Sequence, residues 1–353
     1  MRKALKIIGI ALLCIIVIVG AALAYLTITE FRPGDVEDVS VTAGNASAAL
    51  HTGEALRVLT FNTGYAGLDK TQDFFMDGGT GVNPIGGSAK VRENMAGILK
   101  AIQEADAQII LLQEVDQSSS RSNRINEVDY YRQNIGMNAA FAINYQCNFV
   151  PYPLPPIGKV KSGLLTLTAY QPTQAQRQSL PVAFSWPLRI ANLKRCLLVE
   201  RIPVEGSEHE LVLINLHLEA YDSDGQGRVA QTRQLLDFIS REYEKGNYVI
   251  AGGDFNQSFD EAVHFGGSWE GKWVPGALTQ FELPQGVQFV YDSTLPTCRS
   301  LDQTYTGDHD NHVFYLIDGF IVTDNVQVED VHTIDLDFEY SDHNPVLLQA
   351  SLK

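Results

Sequence analysis

Tyr248-Val249-Ile250-Ala251-Gly252-Gly253-Asp254-Phe255-Asn256 decides how this chain folds. A short apolar strand runs through two glycines straight into polar residues that a simple core would not select. The pattern recurs along the chain. Val58-Leu59-Thr60-Phe61 ends in Asn62, and Ile109-Ile110-Leu111-Leu112-Gln113 ends in Glu114. Leu213-Ile214-Asn215-Leu216 leads to His217, Leu316-Ile317 to Asp318, and Glu339-Tyr340-Ser341 to Asp342-His343 before a last apolar strand. Open α/β sheets bind ligands beyond their strand ends, so these residues are expected to converge on one cleft.

Outward from these segments, short apolar runs alternate with helical periods. Strands are expected at Leu56–Phe61, Ile109–Leu112, Gly163–Thr168, Arg195–Ile202, Leu211–Leu218, Tyr248–Ala251, Leu316–Thr323 and Pro345–Ser351. In Ser88–Ala105 the residues Val91, Met95, Ile98, Leu99 and Ile102 share one helical face. In Gly227–Lys245 the face is Val229, Leu235, Leu236, Ile239 and Tyr243, with Gly246 just past the end. This mixture predicts an α/β architecture rather than a bundle or a β-sandwich. Asp77–Gly87 and Pro151–Gly158, rich in Gly and Pro, read as surface loops. The motifs spread over all of residues 55–353, which predicts one domain and no repeat array.

Ile7–Thr29 is an uncharged, mostly apolar run of 23 residues preceded by Arg2, Lys3 and Lys6. As a helix it spans roughly 30 Å or more, enough for the hydrocarbon layer of a membrane. The basic flank predicts a cytoplasmic N-terminus at residues 1–6, a transmembrane anchor at 7–29 and an extracytoplasmic body. The competing reading is a cleaved signal peptide, with Ala22-Leu23-Ala24 as a small-x-small site. The run exceeds the roughly 7–15 residues of a signal core, which favours the single-pass anchor over a secreted product. Residues 30–54, rich in Asp, Glu, Ala, Ser, Thr and Gly, are expected to form a solvated tether.

The formal charge is −16, and beyond residue 32 there are 22 basic against 41 acidic side chains, a net of −19. Nucleic-acid affinity rests on cationic surface that displaces counterions, so the body lacks the global attraction that non-specific binding of nucleic acid uses, and only a local basic patch would supply it. Cys14 lies in the apolar run. Cys147, Cys196 and Cys298 are odd in number and lack metal-type spacing.

Each polar position has a bland reading when taken singly. A Glu closing a strand is solvated, a lone Asn forms a turn, and Asp-x-Asn caps a helix. Asp318 resists this treatment, because a carboxylate between Leu316-Ile317 and Phe320-Ile321-Val322 needs a partner such as His343 or a metal. Together, and in this order, Thr60-Phe61-Asn62, Leu112-Gln113-Glu114-Val115, Asn215-Leu216-His217, Gly253-Asp254-Phe255-Asn256, Ile317-Asp318 and Ser341-Asp342-His343-Asn344-Pro345 resemble the endonuclease/exonuclease/phosphatase superfamily. The resemblance covers essentially all of residues 56–353. It implies a four-layer α/β sandwich, two mixed sheets face to face with helices outside, and hydrolysis of phosphate esters with a divalent metal. That metal is usually Mg²⁺, with Mn²⁺ or Ca²⁺ as alternatives.

On that resemblance, Glu114 holds the metal while Asn62 and Asp342 complete or orient its shell. Asp318 and His343 form a carboxylate–imidazole pair for water activation or for the developing phosphorane charge. Asp254 and Asn256 orient the nucleophile, and His217 donates to a phosphoryl oxygen; the roles of Asp254 and His343 are interchangeable at this point. Arg121, Arg124, Asn144 and Tyr145 are further candidates for phosphate contact. Asp308-His309-Asp310-Asn311-His312 reads as a solvated hairpin loop rather than a metal cluster. The expectation is a monomeric phosphodiesterase, tied to the membrane through its helix. Its substrate would be a lipid headgroup, a small ester or, less favoured, nucleic acid. An extracellular nuclease and a non-catalytic binding module on the same scaffold are the alternatives.

Overall fold

The computed structural model describes residues 2–45, 47–222 and 224–353. Two mixed sheets lie face to face and helices cover their outer sides. Each central strand is therefore enclosed on both faces, which is why its sequence is apolar without alternation. One sheet runs Val36–Asp38, Gln174–Ser179, Cys196–Glu205, Glu210–His217, Tyr248–Asp254, Asp318–Thr323, Val287–Val290, with Leu50–His51 beside Cys196–Glu205. The other runs Val326–Thr333, Val346–Leu352, Leu56–Asn62, Ile109–Asp116, Gly158–Thr168, Asn138–Val150, Val41–Thr42. The expected four-layer sandwich is the observed one.

Between the sheets, Val58, Ile109, Leu111 and Leu348 pack on Ile202, Leu213, Ile250 and Phe320. Outside, the helix Gln226–Glu244 lays Leu235, Leu236 and Ile239 on Val212, Ile214 and Val249. The helix Gly87–Ala105 lays Val91, Met95, Ile98 and Ile102 on Leu59, Ile110 and Leu112. Both helices fall within a residue or two of their expected bounds. A polar cross-link also joins the sheets. Gln113 Nε2 donates to Asn215 Oδ1 (2.9 Å), and Asn215 Nδ2 donates to the carbonyls of Leu112 and Leu165 (3.2 Å each).

The helix Glu127–Ile135 and the strands Asn138–Val150, Gln174–Ser179, Val287–Val290 and Val326–Thr333 were not expected from sequence. The helix spans nine residues and buries only Glu127, Val128 and Tyr131, too short a period to register. Gln174–Ser179 has no apolar run at all; its burial falls to Ala175 and to Arg177, which donates to the carbonyls of Ile143 (2.9 Å) and Lys194 (2.7 Å).

Residues 30–54 are largely solvated but are not a free tether. Val36–Asp38 extends the edge of one sheet by pairing with Gln174–Ser179, and Val41–Thr42 extends the other by pairing with Asn138–Val150. Leu50–His51 pairs in parallel with Cys196–Glu205, and the Gly53 amide donates to Leu352 O (2.7 Å). The buried Glu30 carboxylate meets Arg32, Arg189 and Lys194 at 3.0, 3.2 and 3.4 Å. Edge strands with one face in water need little apolar content, so the polar composition concealed them. Ala46 lies outside the described residues.

Two outcomes follow. A chain beginning at Glu30 keeps these edge ladders, whereas one beginning at Leu56 loses them and is expected to melt lower by about 5 °C or more in calorimetry. Glu200 shares the inter-sheet face with Leu198 and Ile202, and neither of its carboxylate oxygens has a partner among the described residues. Burial pushes its carboxyl from the ordinary 4.5 up to about 8. The folded state binds the proton more tightly than the unfolded chain, so stability is intact below the ordinary value and falls as pH rises toward 8. Glu200→Gln should therefore gain melting temperature over the parent at pH 9 and little at pH 4.

Candidate active site

Three adjacent strands bring three functional side chains into one row. His217 is the register partner of Asp254 across a parallel ladder, and Asp254 is the partner of Asp318 across an antiparallel one. The two glycines before Asp254 are what the packing requires. A Cβ on Gly253 would lie 2.0 Å from Leu216 O, and one on Gly252 would lie 2.6 Å from the Phe320 ring.

The other sheet contributes Asn62, at the end of its strand and opposite Gln113, and then Glu114. Glu114 has φ 54°, and the ladder to Gly158–Thr168 slips between Leu112 and Val115. This bulge re-aims the Glu114 carboxylate out of the regular alternation, a strained conformation that the flanking strands enforce. Asn62 joins the two groups. Its Nδ2 donates to Asp254 Oδ2 (2.9 Å) and to Glu114 Oε1 (3.5 Å) and lies 3.4 Å from His343 Nε2. Its Oδ1 accepts from the Gly64 amide (3.1 Å), so in this orientation Asn62 holds the carboxylates rather than offering an oxygen to a metal.

His343 Nδ1 lies 2.8 Å from Asp318 Oδ2, the partner that a carboxylate on that strand demanded. Ser341 Oγ accepts from the His343 amide (3.3 Å) and donates to Asn62 O (2.8 Å), tying the last loop to the first strand end. Burial alone would lower the imidazole's pKa; the charge of Asp318, followed by Cys298 and Asp342, outweighs it and holds His343 well above the ordinary 6.5. Burial, then Arg195, His343 and Arg121, hold His217 well below it, so these two histidines carry different charges in one site. Burial together with Asp318 raises the Asp254 carboxyl.

Glu114, His217, Asp254, Asp342 and His343 line a cavity of about 600 Å³ together with Arg121, Asn144, Tyr145, Arg195 and Asn256; Asn62 and Asp318 are not part of that lining. Arg121 is committed first to Asp116 (3.0 and 3.2 Å), stacks 3.7 Å over the Tyr65 ring and stands 3.8 Å from Glu114, so its charge is held within the frame beside the metal candidate. Arg124 is exposed and does not line the cavity; its left-handed φ of 60° places it on a surface turn. Asn144 Nδ2 and His217 Nδ1 are buried without partners among the described residues and belong to residues of the cavity wall, which is where an anionic oxygen would satisfy them. Tyr145 donates to Ala191 O (2.9 Å), and Asn256 Nδ2 donates to Leu218 O (2.9 Å), so both are bound to the frame. Arg195, buried and 3.6 Å from Glu219, was missed in sequence because it opens an apolar strand with no motif around it. The loop at 308–312 packs His309 flat on Phe314 and buries His312 against Ser300 O (2.9 Å), a structural role.

Glu114, Asp254, Asp318 and Asp342 place four carboxyls around a floor whose arginines are already paired. Burial raises the Glu114 and Asp342 carboxyls; Arg121 draws Glu114 back down, Asp342 pushes it further up, and His343 lowers both. Hard oxygen donors with surplus negative charge fit a divalent cation. Asp254, Asp318 and His343 offer ligand atoms within 4.8 Å of one another, as do Cys298, Asp342 and His343. Burial pushes the Cys298 thiol up to about 12, which leaves it a neutral wall residue.

No curated protein sequence matches the chain. Among solved structures, the endonuclease/exonuclease/phosphatase from Beutenbergia cavernae is 16% identical with a TM-score of 0.54, covering 84% of this chain and 72% of its own. The human Nocturnin catalytic domain with bound sulfate is 15% identical with a TM-score of 0.54, covering 89% and 97%. A humanized D. rerio TDP2 is 15% identical with a TM-score of 0.53, covering 84% and 99%. These likenesses establish the shared fold. The profile of the Endonuclease/Exonuclease/phosphatase family matches residues 59–343, from the first strand end to the last histidine of the site, and the chain belongs to that family.

Proposed function

We propose that the chain is a metal-dependent phosphodiesterase, held in a membrane by its N-terminal helix with the body on the extracytoplasmic side. The observation that carries the reading is the buried Asp318–His343 pair at 2.8 Å, set within 3.8 Å of Asp254 and joined through Asn62 to Glu114. A binding module has no use for a carboxylate whose only evident task is to orient and charge an imidazole. The arrangement supports hydrolysis over that alternative. The net charge of −19 beyond residue 32 weighs against the nuclease reading.

Glu114 and Asp342 would hold Mg²⁺, or Mn²⁺ or Ca²⁺ in its place, and the cation would neutralise charge on the phosphate. The remaining work falls to the chain. Asp254, fixed by Asn62 and by the Asn256 amide (2.9 Å) and raised by burial, is suited to take a proton from the attacking water. His343, kept protonated by Asp318, faces the charge that develops on the phosphoryl oxygens. His217 and Asn144 present their unpartnered nitrogens to the same oxygens. The helix Arg2–Ile28 spans 27 residues with a mean hydropathy of 3.1 over its most apolar window and buries none of them fully. Its final turn is engaged by the body: Asn148 Nδ2 donates to Tyr25 Oη (3.4 Å) and Trp186 Nε1 to Thr27 Oγ1 (3.3 Å). Contacts of this kind support a retained anchor over a removed signal.

The full chain should hydrolyse bis-p-nitrophenyl phosphate with added metal and stop on addition of EDTA; no turnover with Mg²⁺, Mn²⁺ or Ca²⁺ would refute the reading. Glu114→Gln should raise the Mg²⁺ concentration for half-maximal rate by about tenfold or more with the melting temperature unchanged. His343→Ala and Asp318→Asn should each lower kcat by about 10²–10⁴-fold. The double variant should be hardly slower than His343→Ala, because groups acting as one unit are not additive. Strictly additive losses, or a collapsed melting temperature with kcat retained in Asp318→Asn, would make Asp318 a structural carboxylate.

A further inference from the structure

The catalytic cavity combines its polar groups with extensive apolar lining. Its mouth is walled by the last turns of the N-terminal helix, through Leu23 and Leu26, and by two loops that project apolar side chains into solvent. Tyr152 on one loop is 66% exposed and Leu188 on the other 65%; Leu154, two residues beyond Tyr152 and outside the cavity lining, is 87% exposed. Phe75, from a third segment, closes edge-on against Tyr152 with ring centroids 5.5 Å apart. Soluble surfaces scatter such residues; gathered round one opening they mark a surface meant to be covered.

The helix shows what covers it. Leu26 packs on the cluster formed by Tyr145, Val150, Ile157 and Val160, directly behind the first loop. Trp186, on the second loop, donates to Thr27, and the Glu30 carboxylate is fixed by Arg189 of that loop and by Lys194. Only Thr29 separates the helix end at Ile28 from the buried Glu30. A helix that crosses the bilayer and is clamped in this way leaves the mouth no length of chain by which to stand off from the lipid surface. We propose that the cavity opens onto the bilayer and that its substrate is a membrane lipid phosphodiester. The headgroup phosphate descends to Glu114 and His343 while the acyl chains stay in the membrane beside the rim. The proposal rests on the phosphodiesterase reading. In the reaction a water oxygen bonds to phosphorus, one P–O ester bond breaks, and the departing oxygen takes up the proton.

The test uses the full chain reconstituted in vesicles of phosphatidylcholine and phosphatidylglycerol with Mg²⁺, followed by phosphorus release from lipid and by turnover of bis-p-nitrophenyl phosphate in the same preparation. The parent should cleave both. Leu154→Ser/Leu188→Ser, which alters only exposed rim positions, should lose about tenfold on vesicle lipid and less than twofold on the soluble diester. Turnover of the soluble diester with no lipid cleaved by the parent would overturn the proposal and leave the phosphodiesterase reading standing, whereas no turnover of either would remove that reading itself. Equal losses on both substrates, or none on lipid, would also overturn it. So would a change in oligomeric state with lipid cleavage intact, which would assign the rim to a second copy of the chain.

Discussion

Everything in the site depends on two sheets being held in one register across an apolar core. Hydrophobic burial presses them together but is indifferent to sliding by a fraction of a residue. The amide pair Gln113–Asn215 is not. It spans the layer with bonds at 2.9 and 3.2 Å, and leaving either amide unmatched would cost about 1–3 kcal/mol. Gln113 immediately precedes Glu114, and Asn215 precedes His217 by two residues. The cross-link therefore sets the distance between the metal candidate on one sheet and the row of His217, Asp254 and Asp318 on the other.

The same proximity concentrates like charge. Four carboxyls share a buried floor, and the fold accommodates them by giving each a different neighbour: Arg121 beside Glu114, Asn62 and the Asn256 amide on Asp254, His343 on Asp318, Ser341 on Asp342. Asn62 is the shared element, since one amide nitrogen reaches both sheets. A neutral donor suits that position better than a cation, which would cancel the surplus negative charge that a divalent metal needs. Backbone strain also falls within the site: Glu114 and Asn256 both hold left-handed backbone conformations, at φ 54° and 50°.

The strand ends and the two long helices were legible because their physics is local. An apolar run interrupted by Asp, Glu or His announces itself in four or five residues, and a helical face in three turns. The partner of Asp318 could be argued from burial alone, and His343 is that partner. What stayed hidden depends on distant contacts. Arg124 and Arg121 look alike in sequence, but only Arg121 finds Asp116 and Tyr65 to bind. Arg195 carries no motif and acquires its place from the strand that it begins. Whether Asn62 completes a metal shell or orients it depends on which end of its amide faces Gly64, and no spacing encodes that.

The hardest segment to read was 30–54, and its polar composition is a consequence of its position. A strand added to the edge of a finished sheet buries one face at most, and its ladder bonds come from backbone atoms that every residue type carries. Val36–Asp38 and Val41–Thr42 therefore stitch both sheets without the apolar signature that identified the centre. This placement removes the slack that a tether would have given. Glu30 is pinned by Arg32, Arg189 and Lys194 two residues after the helix ends at Ile28, so the direction in which the helix leaves the body is fixed by the same loops that frame the cavity. Orientation of the site relative to the helix is thus a property of the fold, set by buried charge and edge pairing.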